Sequence, residues 1–232
     1  MTERLTPDLC VIGAGSGGLS VAAAAAQFGV NVVLIEKHKM GGDCLNYGCV
    51  PSKALLASAK RAHKMKTTQP FGVVPSTPVV NHAAVRDHVH SVIAAIEPND
   101  SVERFTGLGV TVVQAEGKFK DKNTVIAGDK EIKARRFIVA TGSRAAIPPI
   151  AGLDEVQYFT NETIFDNGEK LDHLIVIGGG PIGMEMAQAH HRLGSKVTVL
   201  EAMKAFAKDD PEMSKPVVDA LRSEGIDIRE GV

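Results

Sequence analysis

The chain has 232 residues, with 26 Lys and Arg against 27 Asp and Glu, so neither nucleic acid nor an anionic membrane is an expected partner. Its hydrophobic content of 44% allows a sizeable core in one large or two modest domains, and the absence of tryptophan suits close helix–sheet packing. No run approaches the ~20 apolar residues of a membrane span, and Met1 to Asp8 hold no leader-like apolar core, so the cytoplasm is the expected compartment.

In chain order, Leu9-Cys10-Val11-Ile12 is a short unbroken apolar run, as expected of a buried parallel strand. It enters Gly13-Ala14-Gly15-Ser16-Gly17-Gly18, which satisfies GxGxxG at Gly13, Gly15 and Gly18. An alanine-rich helix follows and ends near Gly29, a natural C-cap. Val30 to Ile35 form a second strand that closes on Glu36. In a dinucleotide fold the glycines serve a tight turn, the approach of pyrophosphate and helix–strand packing, and the acid takes a ribose hydroxyl.

The next stretch holds Cys44 and Cys49, followed by Pro51 and Lys53. Five steps along a regular helix would part the two Cα atoms by at least ~7.5 Å, beyond the roughly 4.4–6.8 Å of a disulfide. If the sulfurs bond, the backbone must bend, and Gly48 is the residue that permits it. Pro51 suits the opening of a fresh helix, and Lys53 lies one turn beyond Cys49 on the same face. That pattern describes a redox dithiol at a helix N-terminus, where the dipole and the ammonium favour thiolate. The alternatives are structural cysteines in a buried turn or half of a metal site. Cys10 lies in an apolar run and the histidines lack ligand spacing, so no metal is expected.

Pro51 to Lys66 reads as a helix with apolar positions at Ala54, Leu55, Ala59 and Ala62. Asn81 to Phe105 is helical in pattern with a break near Pro98, and His82, His88 and His90 decorate its solvated or subunit-facing side. Val110 to Ala115, Lys118 to Phe119, Thr124 to Ile126 and Glu131 to Val139 read as short strands, and Pro148-Pro149 with Gly152 as a hinge. The first unit then repeats. Leu174 to Glu201 aligns without a gap on Leu9 to Glu36, which places Gly178, Gly180 and Gly183 on the fingerprint, Gly194 on Gly29 and Glu201 on Glu36. Two dinucleotide sites follow, and the chain stops at Val232 inside a third strand of the second unit.

The segment Gly41 to Lys53 closely resembles the redox-active segment of class I flavin-dependent pyridine nucleotide–disulfide oxidoreductases, among them dihydrolipoyl dehydrogenase, glutathione reductase and mercuric reductase. The resemblance implies an α/β protein with two Rossmann-like dinucleotide-binding domains of three layers, the second incomplete. It implies an FAD domain over residues 1–150 and a truncated NAD(P) domain over 151–232, roughly the first half of such an enzyme. The resemblance implies that the flavin segment and dimerisation domain completing the family's enzymes are absent from this chain, so that it is expected to be inactive alone and the full-length protein to be a homodimer. FAD would be held by Gly13, Gly15, Ser16, Gly17, Gly18, Glu36, Lys37, Gly42, Asp43, Lys53, Gly117, Ala140, Thr141 and Gly142. The nicotinamide nucleotide would be held by Gly178, Gly180, Pro181, Ile182, Gly183 and Glu201. Glu201 suits both ribose hydroxyls and repels a 2′-phosphate, so NADH is expected over NADPH, with Lys204 nearby softening that repulsion.

By the same resemblance, Cys49 is the thiolate beside the flavin and Cys44, the more accessible, exchanges with a small-molecule or protein-bound dithiol or disulfide substrate. Lys53 matches the lysine near the flavin ring and Glu185 its carboxylate partner. Three positions depart from family patterns: Asp43 stands where threonine is usual, while Pro181 and Ser52 differ from glutathione reductases. Pro-Ser-Lys with Leu45-Asn46 and Glu201 looks like dihydrolipoyl dehydrogenase, the expected activity. Ala187-Gln188 through Thr198 looks like mercuric reductase, the alternative. A non-catalytic nucleotide-binding fragment is the reading from another class.

Overall fold

The computed structural model describes residues 3–232; Met1 and Thr2, the start of the segment read above as lacking a leader, lie outside them. In chain order the elements are β1 (Glu3–Leu5), β2 (Leu9–Ile12), α1 (Ser16–Gln27), β3 (Val32–Glu36), α2 (Gly42–Asn46) and α3 (Cys49–Lys66). Next come α4 (His82–Ile96), α5 (Val102–Gly107), β4 (Thr111–Gln114), β5 (Gly117–Asp121), β6 (Thr124–Ala127), β7 (Lys130–Lys133) and β8 (Arg136–Val139). The last five are β9 (His173–Ile177), α6 (Pro181–Arg192), β10 (Lys196–Glu201), α7 (Pro211–Glu224) and β11 (Asp227–Glu230). They fall into two compact units, one running through Pro51 with His90–Phe165 and the other joining Ser52–Val89 to Asp166–Val232.

The first unit has three layers, and strand alternation explains them. Its central sheet runs β4-β3-β2-β8, all parallel. Successive side chains of a strand point to opposite faces. Cys10, Ile12, Val33 and Ile35 therefore pack on one side against Val125, Ala127 and Ile132 of a second sheet, ordered β1-β7-β6-β5. Val11, Val32 and Leu34 pack on the other side against Leu19 and Ala22 of α1 and Phe105 of α5. The strand read as Glu131 to Val139 is two strands in two sheets. β7 pairs antiparallel with β6, whereas β8 pairs parallel with β2. The chain changes sheet at Ala134–Arg135, where the Ala134 amide donates to the Asn123 carbonyl at 3.2 Å and the Arg136 amide to that of Asp8 at 3.1 Å.

The second unit carries the parallel sheet β11-β10-β9. Met184 and Ala187 of α6 and Val218 and Leu221 of α7 bury against Val197, Val199 and Ile228. Asp210 caps α7 by accepting from the Glu212 amide at 2.9 Å, with Pro211 opening the helix and Gly225 (φ 107°) ending it. Helix α3 starts at Cys49, two residues before Pro51, which still lies in the first turn where its missing N–H costs nothing. Ala54, Leu55, Ala59 and Ala62 are all buried. The stretch read as Asn81 to Phe105 resolves into α4, a 3-10 turn over Glu97–Asp100 and α5, the break falling where Pro98 removes a donor.

Candidate active site

The two glycine loops are built alike. Gly13 and Gly178 take φ of 104° and 109°, which side chains rarely adopt. A Cβ on Gly18 would lie 1.8 Å from the Gly13 carbonyl oxygen, and one on Gly183 would lie 2.2 Å from that of Gly178. Glu36 accepts the amides of Ala14 and His38, each at 2.7 Å. Glu201 accepts those of Gly179 at 2.7 Å and Met203 at 2.9 Å. Each acid read as a ribose ligand thus also ties its own loop to the end of its strand. Gly15 and Gly180, the N-caps of α1 and α6, contribute no capping side chain, so the first N–H groups of both 12-residue helices, from Ser16 in α1 and, past Pro181, from Ile182 in α6, stay open to phosphate. No atom other than the Cα of Gly42, at 3.9 Å, comes within 4 Å of a Cβ built on Gly15, and Gly17 and Gly180 face open space. These loops fit a pyrophosphate.

The remaining predicted contact residues divide by exposure. Ser16, Lys37, Thr141, Gly142, Pro181 and Ile182 are exposed and Ala140 is half-buried, its amide donating to the Ile12 carbonyl at 2.8 Å. A Cβ on Gly117 would lie 3.4 Å from the side chains of Ile35 and Val125. Gly42 presses on the first loop, where a Cβ would approach the Gly15 Cα to 2.6 Å, and the Gly41 amide donates to the Ala14 carbonyl at 2.9 Å. The redox segment is therefore seated directly on the first nucleotide loop.

Cys44 lies in α2 and Cys49 opens α3, the two helices meeting at Tyr47 and Gly48. Gly48 is not left-handed. What the corner requires of it is space, because a Cβ would stand 2.8 Å from Asp43 Oδ2 and 3.0 Å from the Asp43 carbonyl oxygen. The cysteines are free thiols joined by a hydrogen bond. One expectation is corrected here. Cys49 is exposed and Cys44 only half-buried, so Cys49 is the more accessible of the two, standing at the open N-terminus of α3 while Cys44 sits in the corner. Burial, with the bond to Cys49, pushes the Cys44 thiol up to about 11, so thiolate is not favoured there. Cys10 is fully buried, and burial raises its thiol to about 12.

In the second unit Lys53 Nζ donates to both carboxylate oxygens of Glu185, at 2.7 and 2.8 Å. Lys53 reaches Glu185 from α3, and Glu185 comes from the first turns of α6, 132 residues away. Sequence reasoning missed two side chains around the dithiol. Asn46 Nδ2 donates to the carbonyls of Met40 at 3.0 Å and Gly42 at 2.8 Å. Asn161 Nδ2 donates to Asp43 Oδ1 at 2.8 Å. Asn46 lies within the motif and was open to detection there; Asn161 is 118 residues from its partner and carried no local signal.

Paired βαβ units with open glycine loops, one bearing a dithiol, define a dinucleotide-binding redox protein of the Rossmann type. The sequence matches the pyridine nucleotide-disulphide oxidoreductase family over residues 7–232, and the chain belongs to that family. It is 35% identical over 225 residues to mercuric reductase of Bacillus cereus, covering 97% of this chain and 36% of that protein. It is 33% identical to mercuric reductase of Streptomyces lividans, covering 95% of this chain and 48% of that protein. The HOCl-induced flavoprotein disulfide reductase RclA from Escherichia coli has the same fold, with a TM-score of 0.81 at 25% identity over 97% of this chain and 49% of that one. The chain thus spans half or less of the length of these relatives. No helix among the described residues is long and apolar enough to cross a membrane.

Proposed function

We propose that this chain is the nucleotide-binding and dithiol-bearing part of an FAD-dependent NAD(P)H–disulfide oxidoreductase. The observation that carries the reading is the Cys44–Cys49 thiol pair, hydrogen-bonded and seated on the first open glycine loop. FAD, when bound, supplies the ring that exchanges a hydride with the nicotinamide and an electron pair with the dithiol. The open amides of α1 hold its pyrophosphate, with Ser16, Gly17, Glu36 and Lys37 around the adenosine side, and Gly42, Asp43, Lys53, Gly117 and Ala140-Thr141-Gly142 completing the site. The α6 loop with Pro181, Ile182 and Glu201 holds the nicotinamide nucleotide, NADH in preference to NADPH because the Glu201 carboxylate repels a 2′-phosphate.

The chain's own groups perform thiol–disulfide exchange. One thiolate of the pair attacks a substrate disulfide and expels one substrate thiol, then the second cysteine closes the Cys44–Cys49 disulfide and releases the other. Lys53, held by Glu185, keeps a positive charge one helical turn along α3 from Cys49. We assign residues 1–150 to the FAD domain and 151–232 to the NAD(P) domain, and the protein to a homodimer in the cytoplasm, where thiols are kept reduced. The preferred acceptor is a lipoamide-type disulfide, from the Pro-Ser-Lys motif and Glu201. The names of the 33–35% identical relatives favour a second reading, in which the pair delivers electrons to mercuric ion. Steady-state assays of the complete protein with NADH separate them. NADH consumption with lipoamide but not mercuric chloride supports the first, the reverse supports the second, and consumption with neither contradicts both.

A further inference from the structure

Helix α2 is only five residues long, too short to persist on its own hydrogen bonds, so the cysteine corner depends on what holds it from outside. From within, Asn46 ties the corner back to Met40 and Gly42. From outside, one side chain reaches both halves of the bend. Asn161 Nδ2 donates to Asp43 Oδ1 at 2.8 Å, one residue before Cys44, and at 3.5 Å faces the carbonyl of Tyr47, two residues before Cys49. The other Asp43 oxygen lies over Gly48, 2.8 Å from where a Cβ would stand. Asn161 is itself placed by a tight turn. The Thr160 amide donates to Thr163 Oγ1 at 3.0 Å, and the Ile164 amide donates to the Thr160 carbonyl at 2.9 Å. Ile164 and Phe165 then anchor the turn, each 7% exposed. All of these groups belong to the first compact unit.

We propose that Asn161 is a positioning residue for the redox pair: through Asp43 it holds the Cys44–Cys49 corner in the geometry from which the disulfide closes. The proposal rests on the redox reading above. Ordering the corner raises the effective concentration of one thiol at the other, because less freedom is lost when the sulfurs bond. Asp43 and Asn161 work as a donor–acceptor pair, so exchanging their chemistry preserves the link while placing two carboxylates there destroys it. An ordinary surface hydrogen bond would show no such reciprocity.

The test equilibrates the full chain in glutathione redox buffers and counts Cys44–Cys49 disulfide by alkylation and mass spectrometry. Two protein thiols and one oxidised glutathione become one protein disulfide and two glutathione thiols, so the equilibrium reports the effective concentration directly. Asn161→Ala is expected to lower it about three- to ten-fold, as for loss of one ordinary solvent-accessible hydrogen bond. Asn161→Asp is expected to lower it further through repulsion of Asp43, and the Asp43→Asn/Asn161→Asp double variant to recover it to within about two-fold of wild type. Asn161→Ser, which keeps a donor, replaces the alanine variant if that variant fails to fold. Wild type that forms no Cys44–Cys49 disulfide overturns the redox reading and the positioning role together. Wild type that forms it while the single variants match it, or while the double variant stays as low as Asn161→Asp, overturns the positioning role alone.

Discussion

At the residue scale, the fingerprint glycines are not equivalent. Gly18 has no room for a side chain, whereas Gly17 faces open space at an ordinary helical φ. Gly18→Ala is expected to cost about 1–3 kcal/mol or more, or to displace the loop, while Gly17→Ala is expected to leave stability unchanged or raise it by up to ~1 kcal/mol through helix propensity. Urea denaturation of both variants checks this; equal stabilities would mean that the close approach of Gly18 to Gly13 does not hold. Cysteine reactivity is ranked by environment. With Cys44 raised to about 11 by burial and its bond to Cys49, and Cys49 exposed, iodoacetamide at pH 8 is expected to modify Cys49 first and Cys44 more slowly. Cys10, raised to about 12 in the core, should react only on unfolding. Peptide mapping over time reads the order, and early labelling of Cys10 would contradict it. The glycines and cysteines were legible because their demands are local: a φ, a missing Cβ, a spacing. The second duty of Glu36 and Glu201 was not, since a loop clamp is a matter of where a carboxylate folds back.

At the element scale, helices and core strands were legible wherever one period governed one stretch. α3 and α4 keep helical spacing, β2, β3 and β9 are built on unbroken apolar runs of four residues, and β10 is rich in β-branched residues. The pattern failed where pairing is non-local. β1 is three polar-edged residues that become a strand only beside β7, and the run 131–139 was read as one strand although its alternation breaks at Arg135-Arg136, where the chain changes sheets. Apart from Lys53–Glu185, which the family resemblance announced, ion pairs between elements were equally invisible. Glu224 ends α7, where a carboxylate opposes the helix dipole, and lies only 16% exposed. Burial acts to raise its pKa, but two hydrogen bonds from Arg192 at 2.6 and 2.7 Å outweigh it, aided by Gln188 and His63, and the net shift is downward. A lowered folded-state pKa means stability that is present at neutral pH and lost as pH falls through that value. Glu224→Gln is therefore expected to destabilise by about 1–3 kcal/mol at pH 7, with the gap from wild type closing in acid. Melting curves from pH 7 to pH 3 test it, and a gap independent of pH would contradict it.

At the scale of the whole molecule, compactness does not follow the order of the chain. A boundary near residue 150 is the natural reading of two successive βαβ repeats, yet the helical stretch from Ser52 to Val89 joins the second unit. The Lys53–Glu185 pair, expected from the family resemblance, and the approach of His63 to Glu224 at 3.9 Å, which no linear pattern announces, are among the links within that unit. The proposed coenzyme choice belongs to this scale, since Glu201, the proposed ribose ligand, is held by the amides of Gly179 and Met203. The complete protein is expected to show a higher kcat/KM for NADH than for NADPH, and the reverse order would remove Glu201 as the discriminating group. The central claim is that the Cys44–Cys49 pair stores electrons delivered by the nicotinamide. Anaerobic titration of the FAD-loaded, disulfide-form protein with NADH measures it most directly. The account predicts uptake of two electron pairs by wild type and one by Cys49→Ser; one pair in both would contradict it.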